Sequence, residues 1–164
     1  MKLAILFLLF SSSAVAQNNT VYIDQIGHNN NYYVDQKDGG GKSLSIVNEG
    51  ELNTLNVLQQ GIGQHSSSIT SINGSVNNNN NFTVNQSGAG NHIANITLTN
   101  PTTNSTNTAS ITQSGSANKQ FNLNLDGNGI GATILQNNPI VPDSASMSIT
   151  CLSPPCSGYS YTKN

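Results

Sequence analysis

Residues 84–91 read VNQSGAGN, and they contain a pattern that recurs along the chain. An aliphatic residue is followed at alternate positions by a Gln or Asn and then a Gly, and a second amide residue comes three positions after the Gly. The five copies are IDQIGHNN (23–30), IVNEGELN (46–53), VLQQGIGQ (57–64), VNQSGAGN (84–91) and ITQSGSAN (111–118). A strand–turn unit this short cannot bury a face alone and has to stack on copies of itself. The repetition therefore indicates a structural or assembly role.

The spacing of the copies predicts the fold. Apolar residues occupy every second position before each Gly, which places their side chains on one face of a β-strand. Half-copies at 32–36 and 132–136 keep this alternation without the full turn. Amide positions 25, 36, 48 and 59 are 11, 12 and 11 residues apart, so two strands and two turns make one coil of about 23 residues. We predict an all-β fold, a β-solenoid of about five strand-turn-strand coils with cross-β stacking.

The later coils are less regular. Gln59, Gln86 and Gln113 share a longer, equal spacing of one coil plus an insertion, and the Asn-rich segments 73–81 and 100–107 are the candidate insertions. The return strands at 94–98 and 121–125 lie one residue out of the phase of residues 32–36. Because a one-residue slip turns every side chain over, we expect a bulge or a longer turn to absorb it.

The composition favours side-chain amides as packing material. Of the 164 residues, 35% are hydrophobic, 5% aromatic and 7% charged, and Asn alone is about one residue in six. A chain this polar and nearly uncharged lacks the high charge of ordinary disordered proteins. It suits stacked coils in which Gln and Asn form ladders of amide hydrogen bonds. Arg is absent and no charged residue lies between Leu52 and Asn118, so we expect no nucleic-acid binding.

The N-terminus has the features of a secretory signal peptide. Lys2 provides the positive charge, residues 3–10 the apolar stretch, and Ala14-Val15-Ala16 an A-x-A cleavage site. The apolar stretch is too short to span a bilayer, and no later segment approaches that length. We therefore divide the chain into a signal peptide (1–16), a repeat β-solenoid (17–138) and a C-terminal tail (139–164). The mature protein is expected to be secreted, with no transmembrane segment.

The pattern resembles the curlin repeat of the bacterial curli subunits, secreted proteins that polymerise into extracellular amyloid fibres. The resemblance covers most of residues 19–136. It implies a β-solenoid that stacks end to end into fibres (pili or fimbriae) active in biofilm matrix and cell adhesion. It also implies a homo-polymer or a co-polymer with another curlin-like subunit, together with outer-membrane export and nucleation proteins.

The resemblance also assigns roles to individual residues. The ladder (self-assembly) positions are Gln25, Gln36, Asn48, Gln59, Gln86, Gln113 and Gln136. The turn positions are Gly27, Asn30, Gly50, Asn53, Gly61, Gln64, Gly88, Asn91, Gly115 and Asn118. Asn48 and Gln64 depart from the family pattern by exchanging one amide for the other.

The tail needs a separate interpretation. Met147, Ile149 and Cys151 alternate as in a further strand, and a Pro-containing loop leads to Cys156. In an exported protein two cysteines this close are expected to form a disulfide. We interpret the terminal residues 159–161 as a frayed end. A Cys loop that capped the last coil would limit elongation. The position of the loop after the last repeat is the only support for this capping hypothesis.

Catalysis and metal binding have little support in the sequence. No G-x-S-x-G motif is present, and the Cys pair has no neighbouring metal ligands. His65 and His92 have the same spacing as the later ladder glutamines and could stack as a metal site or pH sensor, but we expect them to be solvated turn residues. We expect no enzyme and no cofactor.

The sequence thus predicts a structural subunit of extracellular curli-like functional amyloid. The alternative is a soluble secreted β-solenoid that binds carbohydrate or ice through one flat face. Ice binding predicts regular Thr rows, and the Thr residues do not align in this way at the coil period. A disordered spacer is a further possibility, which would show no β-structure.

Overall fold

Alternating apolar and polar residues form twelve β-strands in the computed structural model, which describes residues 18–25, 31–48, 53–73, 80–100, 106–127, 129–151 and 156–164. The strands are β1 (Thr20–Gln25), β2 (Asn31–Gln36), β3 (Ser43–Asn48), β4 (Asn53–Gln60), β5 (Ser66–Asn73), β6 (Asn80–Ser87), β7 (His92–Asn100), β8 (Asn107–Ser114), β9 (Lys119–Gly127), β10 (Ile130–Gln136), β11 (Asp143–Cys151) and β12 (Cys156–Lys163). The signal peptide predicted for residues 1–16 lies outside the described residues. No helix in the described part of the chain is long and apolar enough to cross a membrane.

Consecutive strands alternate between two parallel six-stranded sheets. The odd sheet has the order β1-β3-β5-β7-β9-β11, and the even sheet has the order β2-β4-β6-β8-β10-β12. Each coil therefore contributes one strand to each sheet, which confirms the predicted β-solenoid. Five strand pairs lie between Thr20 and Gln136, and the tail supplies a sixth pair, β11 and β12.

The core is a thin apolar layer between the sheets, built from columns of equivalent residues. In the even sheet, Val57, Val84 and Ile111 pair directly with one another across neighbouring strands and are fully buried. In the odd sheet, Ile46, Ile69 and Ile96 do the same. β-branched residues suit this arrangement because they pack closely on a pleated surface. Apolar side chains thus stack at the spacing of the parallel strands.

The phase slip predicted for the later return strands is wrong. Residues 94–98 and 121–125 belong to β7 and β9 in the odd sheet, so their proper reference is β1 rather than residues 32–36 of the even sheet. β7 pairs with β5 and β9 without a register shift. Residues 74–79 connect β5 to β6, and residues 101–106 connect β7 to β8. The longer coils therefore carry their extra residues between these strands and keep the strand register.

The tail is an ordered extension of both sheets. β11 carries Met147, Ile149 and Cys151 and pairs in register with β9. Cys151 and Cys156 form a disulfide with an S–S distance of 2.04 Å, which joins β11 to β12. The expectation that residues 159–161 are frayed is wrong, because Tyr159 and Tyr161 lie in β12 and pair with Ala132 and Ile134 of β10. This pairing contains a register shift between Ile130 and Ala132.

Candidate functional site

A ladder of glutamines runs through the solenoid along the inner edge of the even sheet. Each side-chain amide donates from Nε2 to Oε1 of the glutamine in the next coil. The distances are 2.8 Å from Gln36 to Gln59, 2.9 Å from Gln59 to Gln86, 2.9 Å from Gln86 to Gln113 and 2.8 Å from Gln113 to Gln136. The last four of these side chains are fully buried. All four bonds point the same way, so the ladder has a direction.

Each ladder amide also joins the two sheets. The second Nε2 hydrogen of Gln86 reaches the Ser66 carbonyl at 3.0 Å, and that of Gln113 reaches the Ile93 carbonyl at 2.9 Å. Gln59 bonds the Ser43 carbonyl in the same way, at 3.2 Å. The ladder therefore satisfies backbone carbonyls of the odd sheet as well as its own amides, as buried polar groups require.

The predicted ladder positions fall in two separate columns. Gln36, Gln59, Gln86, Gln113 and Gln136 form the continuous ladder. Gln25 and Asn48 pair with each other in the odd sheet, and their side chains are outside the described residues. The column of Gln25 and Asn48 continues through Ser71, Leu98 and Leu125. Amides in this column therefore give way to apolar residues along the chain.

The predicted turn residues of the last three copies lie in stacked arcs between β4 and β5, β6 and β7, and β8 and β9. Asn91 Oδ1 accepts the backbone N–H of Gln64 at 2.9 Å, and Asn118 Oδ1 accepts that of Asn91 at 2.9 Å. Gly61, Gly88 and Gly115 have positive φ. In the first two copies, Gly27, Asn30 and Gly50 lie outside the described residues, and Asn53 begins β4.

Local sequence patterns did not reveal a second amide contact between coils. Asn107 Nδ2 donates to Asn80 Oδ1 at 3.1 Å, and Asn107 Oδ1 accepts the Ile130 N–H at 2.8 Å. Both asparagines are buried where β6 and β8 begin. Each precedes its ladder glutamine by six residues, as Asn53 precedes Gln59. The shared spacing of Asn80 and Asn107 from their glutamines is a signal by which this contact can be found.

A column of basic side chains is buried beneath the stacked arcs. Lys42, His65, His92 and Lys119 each occur six residues after a ladder glutamine, and all four are at most 1% exposed. Lys42 Nζ donates to the carbonyls of Gly39 at 3.1 Å and Gly61 at 2.8 Å. Lys119 Nζ donates to the carbonyls of Asn138, at 2.6 Å, and Val141. Backbone carbonyl oxygens of the loops between strands thus accept the hydrogen bonds of both ammonium groups.

The expectation that His65 and His92 are solvated is wrong. Their rings stack with 4.9 Å between centroids and 3° between planes. His65 Nε2 lies 2.7 Å from the Gln60 carbonyl, and His92 Nε2 lies 3.0 Å from the Ser87 carbonyl. Because a carbonyl only accepts, Nε2 carries the proton in each neutral ring. Both Nδ1 atoms are buried without a hydrogen-bond partner among the described residues.

This environment disfavours the imidazolium form. Burial lowers the pKa of His92 from 6.5 to about 4, the Ser87 carbonyl opposes this shift, and the positive charges of His65 and Lys119 add to it. Burial likewise lowers the pKa of His65, against the Gln60 carbonyl and with a contribution from Lys42. Both rings are therefore neutral in the folded protein at pH 7.

Acidification is expected to destabilise the fold through these histidines. Between pH 6.5 and about 4 the unfolded chain binds a proton at His92 that the folded chain does not, so the free energy of unfolding falls as pH falls. The loss due to His92 is about 3 kcal/mol at pH 4, and it is absent above pH 7. Urea denaturation at several pH values measures it.

The matched control for this pH dependence is His92→Gln. This variant keeps a polar side chain at the position and cannot titrate. We expect a smaller drop in stability between pH 7 and 4 than in the unaltered protein. Parallel pH profiles for the two proteins would contradict a role for His92.

The described residues contain no group of three or more His, Cys, Asp or Glu side chains that could hold a metal ion. Comparisons with protein-family models, curated proteins and solved structures gave no match for this chain. The candidate site is therefore defined by its own geometry, a set of stacked polar columns inside a solenoid. Such columns can be extended by further coils.

Proposed function

We propose that this protein is a secreted structural subunit of extracellular curli-like amyloid fibres, without catalytic activity. The observation that carries the proposal is the directional glutamine ladder, which repeats one hydrogen bond from coil to coil. Since the coils from Gln36 to Gln136 repeat the same amide bond and the same parallel strand pairing, the coils of another subunit can add to the stack in the same way. Assembly would then be templated addition of subunits along the solenoid axis.

The ends of the solenoid support this proposal. Val21 and Ile23 of β1 pair with the buried Leu44 and Ile46, but they are 49% and 42% exposed because β1 is the first strand of its sheet. An unpaired strand edge that carries exposed apolar residues is a template for another strand. Burial of these residues by a second subunit would favour association.

The sides of the solenoid are consistent with growth along its axis. The chain between Leu52 and Asn118 carries no charged residue, so charge repulsion along the sides of the middle coils is small. We propose that the fibres are homo-polymers or co-polymers with a related repeat protein. Export across an outer membrane, a nucleating partner, and roles in biofilm matrix and cell adhesion follow from the same proposal.

Assembly of residues 17–164, the predicted mature chain, tests this function. We expect fibres at neutral pH that bind thioflavin, seed fresh monomer and diffract at about 4.8 Å and about 10 Å. A stable β-rich monomer that never elongates, even when seeded with preformed aggregates, would contradict the proposal.

A second candidate function is supported by the outer face of the odd sheet. Thr70, Thr97, Asn124 and Ser148 form one outward row across neighbouring strands. Asn95 Nδ2 donates to Asn122 Oδ1 at 2.8 Å in the adjacent row, beside a shallow groove of about 290 Å³. Such a flat polar face would suit a carbohydrate surface. In the first row only Thr70 and Thr97 lie on neighbouring strands as threonines, and this short run disfavours ice binding. Binding of the monomer to immobilised polysaccharide distinguishes this candidate.

A further inference from the structure

The two ends of the glutamine ladder differ chemically. At the N-terminal end, Gln36 donates to Gln59, and its own Oε1 receives no Nε2 donor from any other member of the ladder. At the C-terminal end, Gln136 Nε2 does not continue to another amide, because it donates to Asp143 Oδ2 at 2.7 Å and to the Gln120 carbonyl at 3.1 Å. The ladder thus begins with Gln36 Oε1, an acceptor without a donor from the ladder, and ends with a hydrogen bond to the Asp143 carboxylate.

Lys163 occupies the next position of the ladder column. It pairs with Gln136 across β10 and β12, and its carbonyl accepts the Asn137 N–H at 3.0 Å. Its side chain is exposed. A lysine ammonium has three donor hydrogens and no acceptor. The last residue of the column is therefore a donor, complementary to the acceptor at the other end.

The apolar parts of the two ends also correspond. At the C-terminal end, Ala145 and Met147 of β11 are half-buried and pack against the core. Through the register of the odd sheet, they lie in the columns that begin with Val21 and Ile23. A seventh coil in register would therefore place Val21 on Ala145 and Ile23 on Met147.

We infer that the N-terminal end of this protein binds the C-terminal end of a second copy in register, with Lys163 of one copy donating a hydrogen bond to Gln36 Oε1 of the other. This inference rests on the proposed function and gives the fibre a direction. The alternatives are less favourable. Head-to-head or tail-to-tail contact would place antiparallel strands at the junction, which breaks the parallel pairing of the sheets and does not bring Lys163 to Gln36. A head-to-tail contact also leaves the same free ends after each addition, so it produces an open filament.

Cysteine cross-linking between two variants tests the contact. Val21→Cys and Ala145→Cys are prepared separately as residues 17–164 and mixed in equal amounts. Paired residues of parallel strands are about 4.8 Å apart, within the roughly 4.4–6.8 Å that a disulfide spans. We expect mild oxidation to yield heterodimers linked through the two introduced thiols, identified by mass spectrometry of the linked peptides. Each variant alone is the control, and neither should form dimers.

The outcomes separate this inference from the proposed function. Fibres with the heterodimer support both. Fibres without the heterodimer, or with homodimers of either variant, overturn the inference and leave the fibre function standing. The heterodimer without fibres supports the contact and contradicts the fibre function. The absence of both fibres and the heterodimer contradicts both. Fibres that form only when the tail is removed would support a capping role for the Cys loop instead.

Substitutions of Lys163 test the polar contact independently. Lys163→Met removes the donor and keeps the aliphatic stem, and we expect seeded elongation to slow roughly tenfold because Gln36 Oε1 is then buried without a donor. Lys163→Gln restores a donor and would continue the ladder with an amide, so it should elongate at nearly the original rate. Equal rates for Lys163→Met and the unaltered protein would exclude the Lys163–Gln36 bond.

Discussion

Gln86→Leu is expected to destabilise the monomer by about 3 kcal/mol or more, although it hardly changes side-chain volume. Gln86 lies at the centre of the ladder, where its Oε1 accepts from Gln59 at 2.9 Å and from Ser67 Oγ at 2.9 Å. Its Nε2 donates to Gln113 at 2.9 Å. Leucine leaves these buried groups with fewer partners in a dry interior, and water cannot replace the lost bonds.

Chemical denaturation of freshly prepared monomer measures the effect of Gln86→Leu. The matched control is Gln60→Leu, the same substitution at the last residue of β4, whose side chain is only partly buried. We expect the control to change the free energy of unfolding by less than about 1 kcal/mol. Equal losses in the two variants would mean that the ladder contributes no more than an ordinary surface amide.

Gly88→Ala is expected to cost more than about 3 kcal/mol, since it combines backbone strain with a clash. Gly88 has φ of +114°, a conformation that L-residues rarely adopt. A Cβ on Gly88 would also lie 2.3 Å from the Gly115 carbonyl oxygen in the next arc. Because this neighbour is backbone, no side-chain rotation can relieve the contact, and the arcs would have to separate.

Thermal unfolding of Gly88→Ala can be compared with that of Gly131→Ala. At Gly131 a Cβ would meet its nearest atom, Ser157 Cβ, at 3.4 Å, an ordinary contact. We expect this control to keep nearly the original melting temperature. A Gly88→Ala protein that melts with the control would show that the arcs can separate at little cost.

The ladder glutamines and the core of the even sheet were predictable from local sequence. In β6, Phe82, Val84 and Gln86 alternate with polar residues, and this alternation alone directs them inward. The coil-length spacing of successive ladder glutamines, 23 or 27 residues, then indicated which residues stack. Gln25 and Asn48 fit the same pattern, yet they stack in the other sheet. Asn48 ends β3 and Gln59 lies in β4, about half of a coil later, so the two residues belong to different sheets.

The basic column was not predictable from such patterns. His65 and His92 follow glycine-containing turns, which are ordinarily solvated. They are buried because Gly63 and Gly90 leave room for the rings, as a Cβ on Gly63 would lie 2.8 Å from His65 Cε1. The space below an arc exists only after successive coils have stacked, so no local pattern contains it.

By itself, the sequence determined that this chain is an all-β solenoid and which side of the strands in the repeat region faces inward, because alternation and repeat length are local properties. Only the tertiary structure decided which copies share a sheet, that the tail forms a sixth coil, and that Asp143 rather than an amide ends the glutamine ladder. These features depend on contacts between residues far apart in the chain, whose pairing is set when the coils stack.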